Sequence, residues 1–316
     1  MELRKIYSKC HYGYSSRLQN LRLAKVSQRW QFRMMTAHAW KLKTRTLEWQ
    51  ERPLIMGVLN VTPDSFSDGG RYLDPEQALD RALEMETEGA DIIDLGGEST
   101  RPGATPISAE VELARVLPVV RRLRGHLAIP LSIDTWKASV AVAALDEGAE
   151  IVNDVSAGRW DPMLWPAVAQ FRPGYVLMHA LDRPATMQKE PNYLDASEEI
   201  VDFLAKFLAR AEENGLALES IVCDPGFGFG KTLQHNLALL RDLESFRKLR
   251  RPILVGLSRK SFLKLIGGSQ PLEITNEQAH MWAAARGAAI WRVHDVPAAL
   301  RAARLAGAFG RGAETA

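Results

Sequence analysis

Aspartate, asparagine, arginine, lysine and histidine recur in this chain at one kind of place, directly after a short apolar run. In order they are Asn60, then Glu98 to Arg101 behind Gly96-Gly97, Asp134, Asn153 with Asp154, His179, Asp224, Ser258-Arg259-Lys260, and Arg292 with His294 and Asp295. Taken singly, such a residue caps the turn or helix that follows it, and a lone histidine is most often just hydrogen-bonded. Taken together they hold two chemistries. Asp134, Asn153 and Asp224 offer carboxylate and carboxamide groups that suit a planar heterocycle with guanidine-like N–H donors. Arg101, Lys260, Arg292 and His294 supply the groups that hold an anion. A planar ligand carrying an anionic leaving group would use both sets.

Other chemistries fit less well. The segment Asp224 to Thr232 (DPGFGFGKT) is glycine-rich and follows an apolar run, but a phosphate-cradling P-loop needs glycine at position 225, where proline stands. No dinucleotide fingerprint, no Ser-His-Asp order and no His-Glu-x-x-His pattern is present, and the histidines lack metal-ligand spacing. The glycines of that segment leave Phe227 and Phe229 available as flat walls for a ligand, with core packing of the two rings as the alternative.

These residues need a scaffold that brings strand ends together. Eight apolar runs, Leu54 to Leu59, Ile92 to Leu95, Leu131 to Ile133, Ile151 to Val152, Tyr175 to Met178, Ile221 to Cys223, Ile253 to Leu257 and Ile290 to Val293, are each short enough to be a strand buried on both faces. Helical stripes lie between them, as at Leu113, Val116, Leu117 and Val120, and again at Ile200, Phe203, Leu204, Phe207, Leu208 and Ala211. Three times a helix ends in Gly-Ala and passes at once into a strand, at Gly89-Ala90, Gly148-Ala149 and Gly287-Ala288. Eight such units over about 255 residues match one (β/α)8 TIM barrel of the α/β class, in which function sits at the C-terminal strand ends. The barrel is expected from about Pro53 to Gly307, inside a unit of residues 40–307, with residues 308–316 as a tail. Ahead of it, alternation from Ala39 to Trp49 predicts a short β-hairpin that plugs the barrel bottom.

Of the 316 residues, 46% are hydrophobic and 25% charged, which excludes a disordered or fibrous chain, and no apolar run approaches membrane-spanning length. The net charge of +2 hides an asymmetry: residues 1–52 hold twelve Lys or Arg against Glu2, Glu48 and Glu51. Nucleic-acid arms, membrane-surface segments and organelle presequences share that composition. The plainer expectation for the basic extension, residues 1–39, is disorder or a translation start at Met34 or Met35, with neither nucleic acid nor membrane as a partner. Cys10 and Cys223 stand far apart, which argues for a reducing compartment.

Several segments are specific enough to carry a resemblance: Met56 to Gly70 (MGVLNVTPDSFSDGG), Asp94 to Gly103 (DLGGESTRPG), Ser132 to Thr135, Ile151 to Val155, Asp224 to Lys231 with His235-Asn236, Ser258 to Phe262, and Arg292 to Asp295. In kind and order they resemble the dihydropteroate synthases, a pterin-binding family of folate biosynthesis that sulfonamides inhibit. The likeness runs from about Trp40 to Leu305. It implies a (β/α)8 barrel, usually a homodimer in the cytoplasm, that joins p-aminobenzoate to 6-hydroxymethyl-7,8-dihydropterin pyrophosphate and expels pyrophosphate. It further implies that Asp134, Asn153, Asp224, Lys260 and Met178 hold the pterin, with Asp134, Asp224 and Lys260 acting on the reaction. Thr100, Arg101, Pro102, Phe227, Phe229 and Ser261 fall on positions that shape the p-aminobenzoate side. Asn60, Arg101, Arg292 and His294 fall on the pyrophosphate side, where Asn60 is linked to Mg2+. The loops after the first two runs, rich in Gly, Ser, Asp and Pro, are expected to close over the ligands.

Two departures stand out. After Met178-His179 the family continues Met-x-Gly-x-Pro, whereas this chain has Ala180 and Asp182 in place of the methionine and glycine, which predicts a looser pterin-side wall and a reshaped loop. Leu272 to Asn276 replaces a family segment with arginine, and Thr275 with Gln278 reads as a capping box there. A methyltetrahydrofolate-dependent methyltransferase is the nearest rival, but it would not need the set of Asn60, Lys260, Arg292 and His294. A pterin-binding paralogue without turnover is the reading from another class.

Overall fold

The computed structural model describes residues 39–62 and 74–311. The leader up to residue 38, residues 63–73 with the Pro63 to Gly70 part of the first motif and its loop, and residues 312–316 lie outside them. Two short strands, β1 (Ala39–Lys41) and β2 (Thr46–Glu48), form an antiparallel hairpin. Eight parallel strands follow: β3 (Leu54–Asn60), β4 (Ile92–Gly96), β5 (Leu131–Asp134), β6 (Ile151–Asp154), β7 (Gly174–Met178), β8 (Ile221–Asp224), β9 (Ile253–Val255) and β10 (Ala288–Val293). They close in the order β10-β3-β4-β5-β6-β7-β8-β9, so the expected TIM barrel is what forms. The helices between and after them are α1 (Pro75–Glu88), α2 (Ala109–Leu123), α3 (Ala138–Asp146), α4 (Leu164–Ala169), α5 (Ala196–Glu213), α6 (Leu233–Arg241), α7 (Ser261–Gly267), α8 (Leu272–Ala285) and α9 (Val296–Arg311).

The period of two along each strand sorts side chains between two cores. Met56, Ile92, Ile151, Val176, Val222 and Ile290 point into the barrel and pack with the hairpin's Trp40 and Leu42. Their neighbours Ile55, Ile93, Val152, Tyr175, Ile221 and Trp291 point outward into the layer beneath the helices. The helical stripes read from sequence meet that layer: Val116 and Val120 of α2 and Ile200, Leu204, Phe207 and Leu208 of α5 are buried in it. Each Gly-Ala turn is a left-handed cap, with φ of +100° at Gly89, +110° at Gly148 and +101° at Gly287.

The hairpin plugs the barrel as expected. Trp40 is fully buried and its Nε1 donates to the Ser220 carbonyl at 2.6 Å. Gly174, the first residue of β7, leaves the space that Leu42 occupies, where a Cβ would overlap it. Two sequence expectations are corrected. The final helix runs through Gly307 to Arg311, because the alanine-rich sequence keeps its helical propensity, so residues 308–311 are not tail. Thr275 is no cap: α8 starts at Leu272 behind Pro271, and the hydroxyl of Thr275, now inside the first turn, is buried against Gly267.

Candidate active site

The same period of two decides which polar strand-end residues face the mouth. Counting outward from the inward-facing Ile92, Ile151, Val222 and Ile290, the side chains of Asp94, Asn153, Asp224 and Arg292 fall on the inner face. In the middle of the mouth the Arg292 guanidinium spans two carboxylates, donating from Nε to Asp94 Oδ2 and from Nη2 to Asp134 Oδ2, both at 2.6 Å. Asn153 Nδ2 donates to the same Asp94 oxygen at 3.0 Å. Burial pushes the Asp134 carboxyl up to about 7, against the pull of Arg292, and the nearby Asp94, Glu112 and Glu98 charges add to the rise. Burial works against the Arg292 charge too, but Asp94 and Asp134 outweigh it and hold the guanidinium above its ordinary value. Asn60, at the end of β3, places Oδ1 3.1 Å from where a Cβ on Gly96 would lie, beside Asp134, so the missing side chain at position 96 makes room for both.

Asp224 ends β8. Its Oδ1 accepts from Gly226 N at 2.7 Å, in a turn where φ is +71° and a Cβ would overlap the His179 carbonyl. Burial raises its pKa to about 6, with that hydrogen bond and Lys260, Lys231 and Arg292 opposing. Lys260 reaches over the next turn with Nζ 4.3 Å from the Phe229 ring centroid, and burial lowers its pKa to about 8. Met178, Ala180, Met187, Val155 and Phe229 form a compact apolar wall, with Trp136 and Trp160 against it. Ala180 is fully buried there.

His294 lies past β10 with Nδ1 3.1 Å from Ser258 Oγ; that oxygen accepts from the His294 amide at 3.3 Å, which leaves its O–H to donate to Nδ1. Burial, then the charges of Arg292, Arg259, Lys260 and Arg101, push its pKa down to about 3, so it is neutral. Thr100, half-buried, and the exposed Arg101 and Pro102 lie on the loop after β4, and Ser261 is exposed at the start of α7.

Not every strand-end polar residue joins the mouth. Asp154 points outward, accepting from Ser156 N, Gly158 N and Tyr175 Oη, and Asp295 caps α9 through Ala298 N. Glu98 pairs with Lys137. Phe227 is 1% exposed and stacked on Phe262 in the outer layer, so core packing claims this ring and it is no wall for a ligand. The positive φ values at Gly226 and Gly228 turn Phe227 and Phe229 to different sides.

Two residues escaped the sequence reading. Asp94 carried a legible signal, a charge in the middle of the apolar run Ile92-Ile93-Asp94-Leu95. Lys231 carried none: its buried Nζ donates to the carbonyls of Gly226 at 2.8 Å and Phe229 at 3.1 Å and meets His179 Nδ1 at 2.9 Å, fastening the loop that carries Asp224 and Phe229.

The sequence pattern of the family described as pterin binding enzyme matches residues 56–294. The dihydropteroate synthase of Mycobacterium leprae is 46% identical over 267 residues, covering 81% of this chain and 93% of the relative. Among solved structures, Xanthomonas albilineans dihydropteroate synthase with 4-aminobenzoic acid is 41% identical with a TM-score of 0.79, covering 89% of this chain and 100% of that one. Burkholderia cenocepacia dihydropteroate synthase complexed with 7,8-dihydropteroate is 42% identical with a TM-score of 0.79, covering 89% and 99%.

Proposed function

The chain belongs to the pterin-binding enzyme family, and we propose that the residues in its barrel mouth carry out the reaction by which its relatives are named. It condenses 6-hydroxymethyl-7,8-dihydropterin pyrophosphate with p-aminobenzoate, giving 7,8-dihydropteroate and pyrophosphate in folate biosynthesis. The observation that carries the assignment of roles is the division of one mouth into an acceptor side, Asp94, Asp134, Asn153 and Asp224, and a cationic side, Arg101, Arg259, Lys260 and Arg292 around neutral His294.

On the acceptor side, Asp224 and Asn153 meet the N–H edge of the pterin and Met178 and Phe229 pack against the ring, while Lys260 reaches across from the cationic side to donate to the pterin's carbonyl edge. On the cationic side Arg101, Arg292 and the Nε2–H of His294 hold the diphosphate. The C–O bond of the substrate's methylene breaks with its electron pair leaving on the diphosphate oxygen. Asp134 and Asp224, buried where the dielectric is low, stabilise the cationic dihydropterin that this leaves. The p-aminobenzoate nitrogen then donates its lone pair to the methylene carbon, and the anilinium formed gives its proton to water. A neutral aniline needs no protein base for that attack. Thr100, Arg101, Pro102, Phe229 and Ser261 bound the side from which it comes.

Mg2+ fits the donor set in one form. Among the described residues no cluster of three His, Cys, Asp or Glu could hold a metal, so a cage of protein side chains is not what these residues offer. Asn60, a neutral oxygen donor at the end of β3, would hold an ion that keeps most of its waters. Bound there, it would offset the charge of the leaving group.

A homodimer is the reading we give the helical face where Leu265, Ile266, Ile274, Trp282, Leu305 and Phe309 are exposed on α7, α8 and α9. Sedimentation of the wild type and of Phe309→Glu tests it: a monomer in both would remove the dimer. No helix among the described residues is long and apolar enough to cross a membrane, and we place the enzyme in the cytoplasm.

Pyrophosphate release with Mg2+, measured with and without p-aminobenzoate, tests the reaction. Release that depends on p-aminobenzoate, with dihydropteroate as product, is expected. A folded protein that binds the pterin without release would instead be a binding paralogue.

A further inference from the structure

Outside the mouth, one cluster ties four loops together, those after β4, β5, β6 and β7. The loop of residues 97–108 carries Thr100, Arg101 and Pro102. Its base is closed by Glu98, whose Oε1 accepts from Ile107 N at 2.8 Å while Oε2 accepts from Trp136 Nε1 at 2.9 Å and Lys137 Nζ at 2.8 Å. Its tip is fastened elsewhere, by Gly103 N donating to the Pro184 carbonyl at 2.9 Å. Pro184 belongs to the loop after β7, the segment where this chain departs from its family's methionine and glycine. There Asp182 folds the turn, its Oδ1 accepting from Arg183 N at 2.8 Å and its Oδ2 from Thr186 Oγ1 at 2.7 Å. The Arg183 guanidinium lies 4.9 Å from the centroid of Trp136 and 5.7 Å from that of Trp160, and the two indoles meet edge to face at 5.7 Å. Trp136 therefore serves both loops, binding Glu98 through its N–H and Arg183 through its face.

We propose that Arg183, stacked on Trp136 and Trp160, is a positioning residue for p-aminobenzoate, because it fixes the Pro184 carbonyl that holds the loop of Thr100, Arg101 and Pro102. The proposal rests on reading that loop as the p-aminobenzoate side of the site. Arg183 touches neither substrate. It acts by keeping the loop in its binding conformation before the second substrate arrives, so its loss is felt in the capture of that substrate. Asp182 shares the role by setting the turn from which Arg183 and Pro184 project.

The test is steady-state pyrophosphate release by the full chain with Mg2+, varying each substrate in turn, together with melting curves. Wild type without p-aminobenzoate-dependent release would remove the underlying reading and with it this role. With wild type active, Arg183→Ala is expected to raise KM for p-aminobenzoate roughly three- to tenfold, the scale of a partly exposed cation–π contact and the loop ordering it supports. KM for dihydropterin pyrophosphate and kcat stay within about twofold, and Arg183→Lys, which keeps a cation over the indoles, recovers most of the loss. Equal rises in both KM values, an unchanged KM for p-aminobenzoate, or a lysine variant no better than alanine would each overturn the proposal. Should Arg183→Ala fail to fold, the exposed Asp182→Gly decides: a rise of about threefold confined to p-aminobenzoate supports the role, and no change refutes it.

Discussion

The two ends of the barrel are built from the same eight strands and have opposite physical character. At the bottom, Trp40 and Leu42 of the hairpin fill the space between Ile92, Ile151, Val176 and Ile290, and the Trp40 N–H is hydrogen-bonded. At the top, in the same inward-facing rows, Asp94, Asp134, Asn153, Asp224 and Arg292 replace the aliphatic side chains. Burial there raises the Asp134 and Asp224 pKa values and lowers that of Lys260, so each charge in the mouth is held at a cost that it would not carry in water. The bottom stabilises the fold and the top spends part of that stability on pre-organised charge. Outward-facing polar residues at the same strand ends, such as Asp154 with Tyr175 and Trp165, belong to the stable part despite their chemistry.

If the ends differ in this way, substitutions at the top should cost turnover and substitutions at the bottom should cost stability. The largest effect is expected from Asp134→Asn, which keeps the shape but removes a buried negative charge. Turnover should fall by about a thousandfold or more, while the melting temperature holds or rises because Asp94 still pairs with Arg292. Near-normal pyrophosphate release would contradict the role of Asp134. Next comes Trp40→Ala, expected to cost about 3–5 kcal/mol in urea unfolding by emptying the plug, with kcat within about twofold well below the melting transition. Comparable losses of kcat would mean that the two ends are not separable.

Arg292→Ala blurs the boundary. It should weaken the pyrophosphate-bearing substrate by roughly a hundredfold, and it also leaves Asp94 and Asp134 facing each other without a cation. Binding of free pterin, measured calorimetrically, should therefore fall as well, though less. Equal losses for the two ligands would remove the diphosphate role and leave only charge neutralisation. The mildest probe is pH. The rate needs Asp134 and Asp224 ionised and Lys260 protonated. With the carboxylates raised to about 7 and about 6 and the lysine lowered to about 8, kcat/KM should rise with pH through the carboxylate range and fall again near 8. A flat profile from pH 5 to 9 would show that substrate meets these groups in fixed charge states.

Much of this contrast is legible in the sequence. Eight apolar runs with helical stripes between them define the barrel, the three Gly-Ala turns come out as left-handed caps, and the alternation around Trp40 gives the plug. These features are local: a period of two, a period of 3.6 and a glycine at a cap are each written within a few residues. The same period would have pointed to Asp94, whose charge interrupts an apolar run on the inward face. Other outcomes were not local. Phe227 and Phe229 sit in equivalent sequence surroundings, and only the turns at Gly226 and Gly228 send one ring into the packing layer and the other under Lys260. Thr275 reads as a cap until Pro271 takes that place four residues earlier.

The sequence by itself determined the fold, the family and the inventory of charges at the strand ends. Tertiary structure decided which of those charges meet. Arg292 reaches Asp94 and Asp134, far away in the chain, because β10 closes the barrel against β3 and brings the last strand beside the first. Such pairing depends on the distance between charges across a closed sheet, in an interior where a mispaired charge costs several kcal/mol, and nothing within a local stretch of sequence encodes that distance.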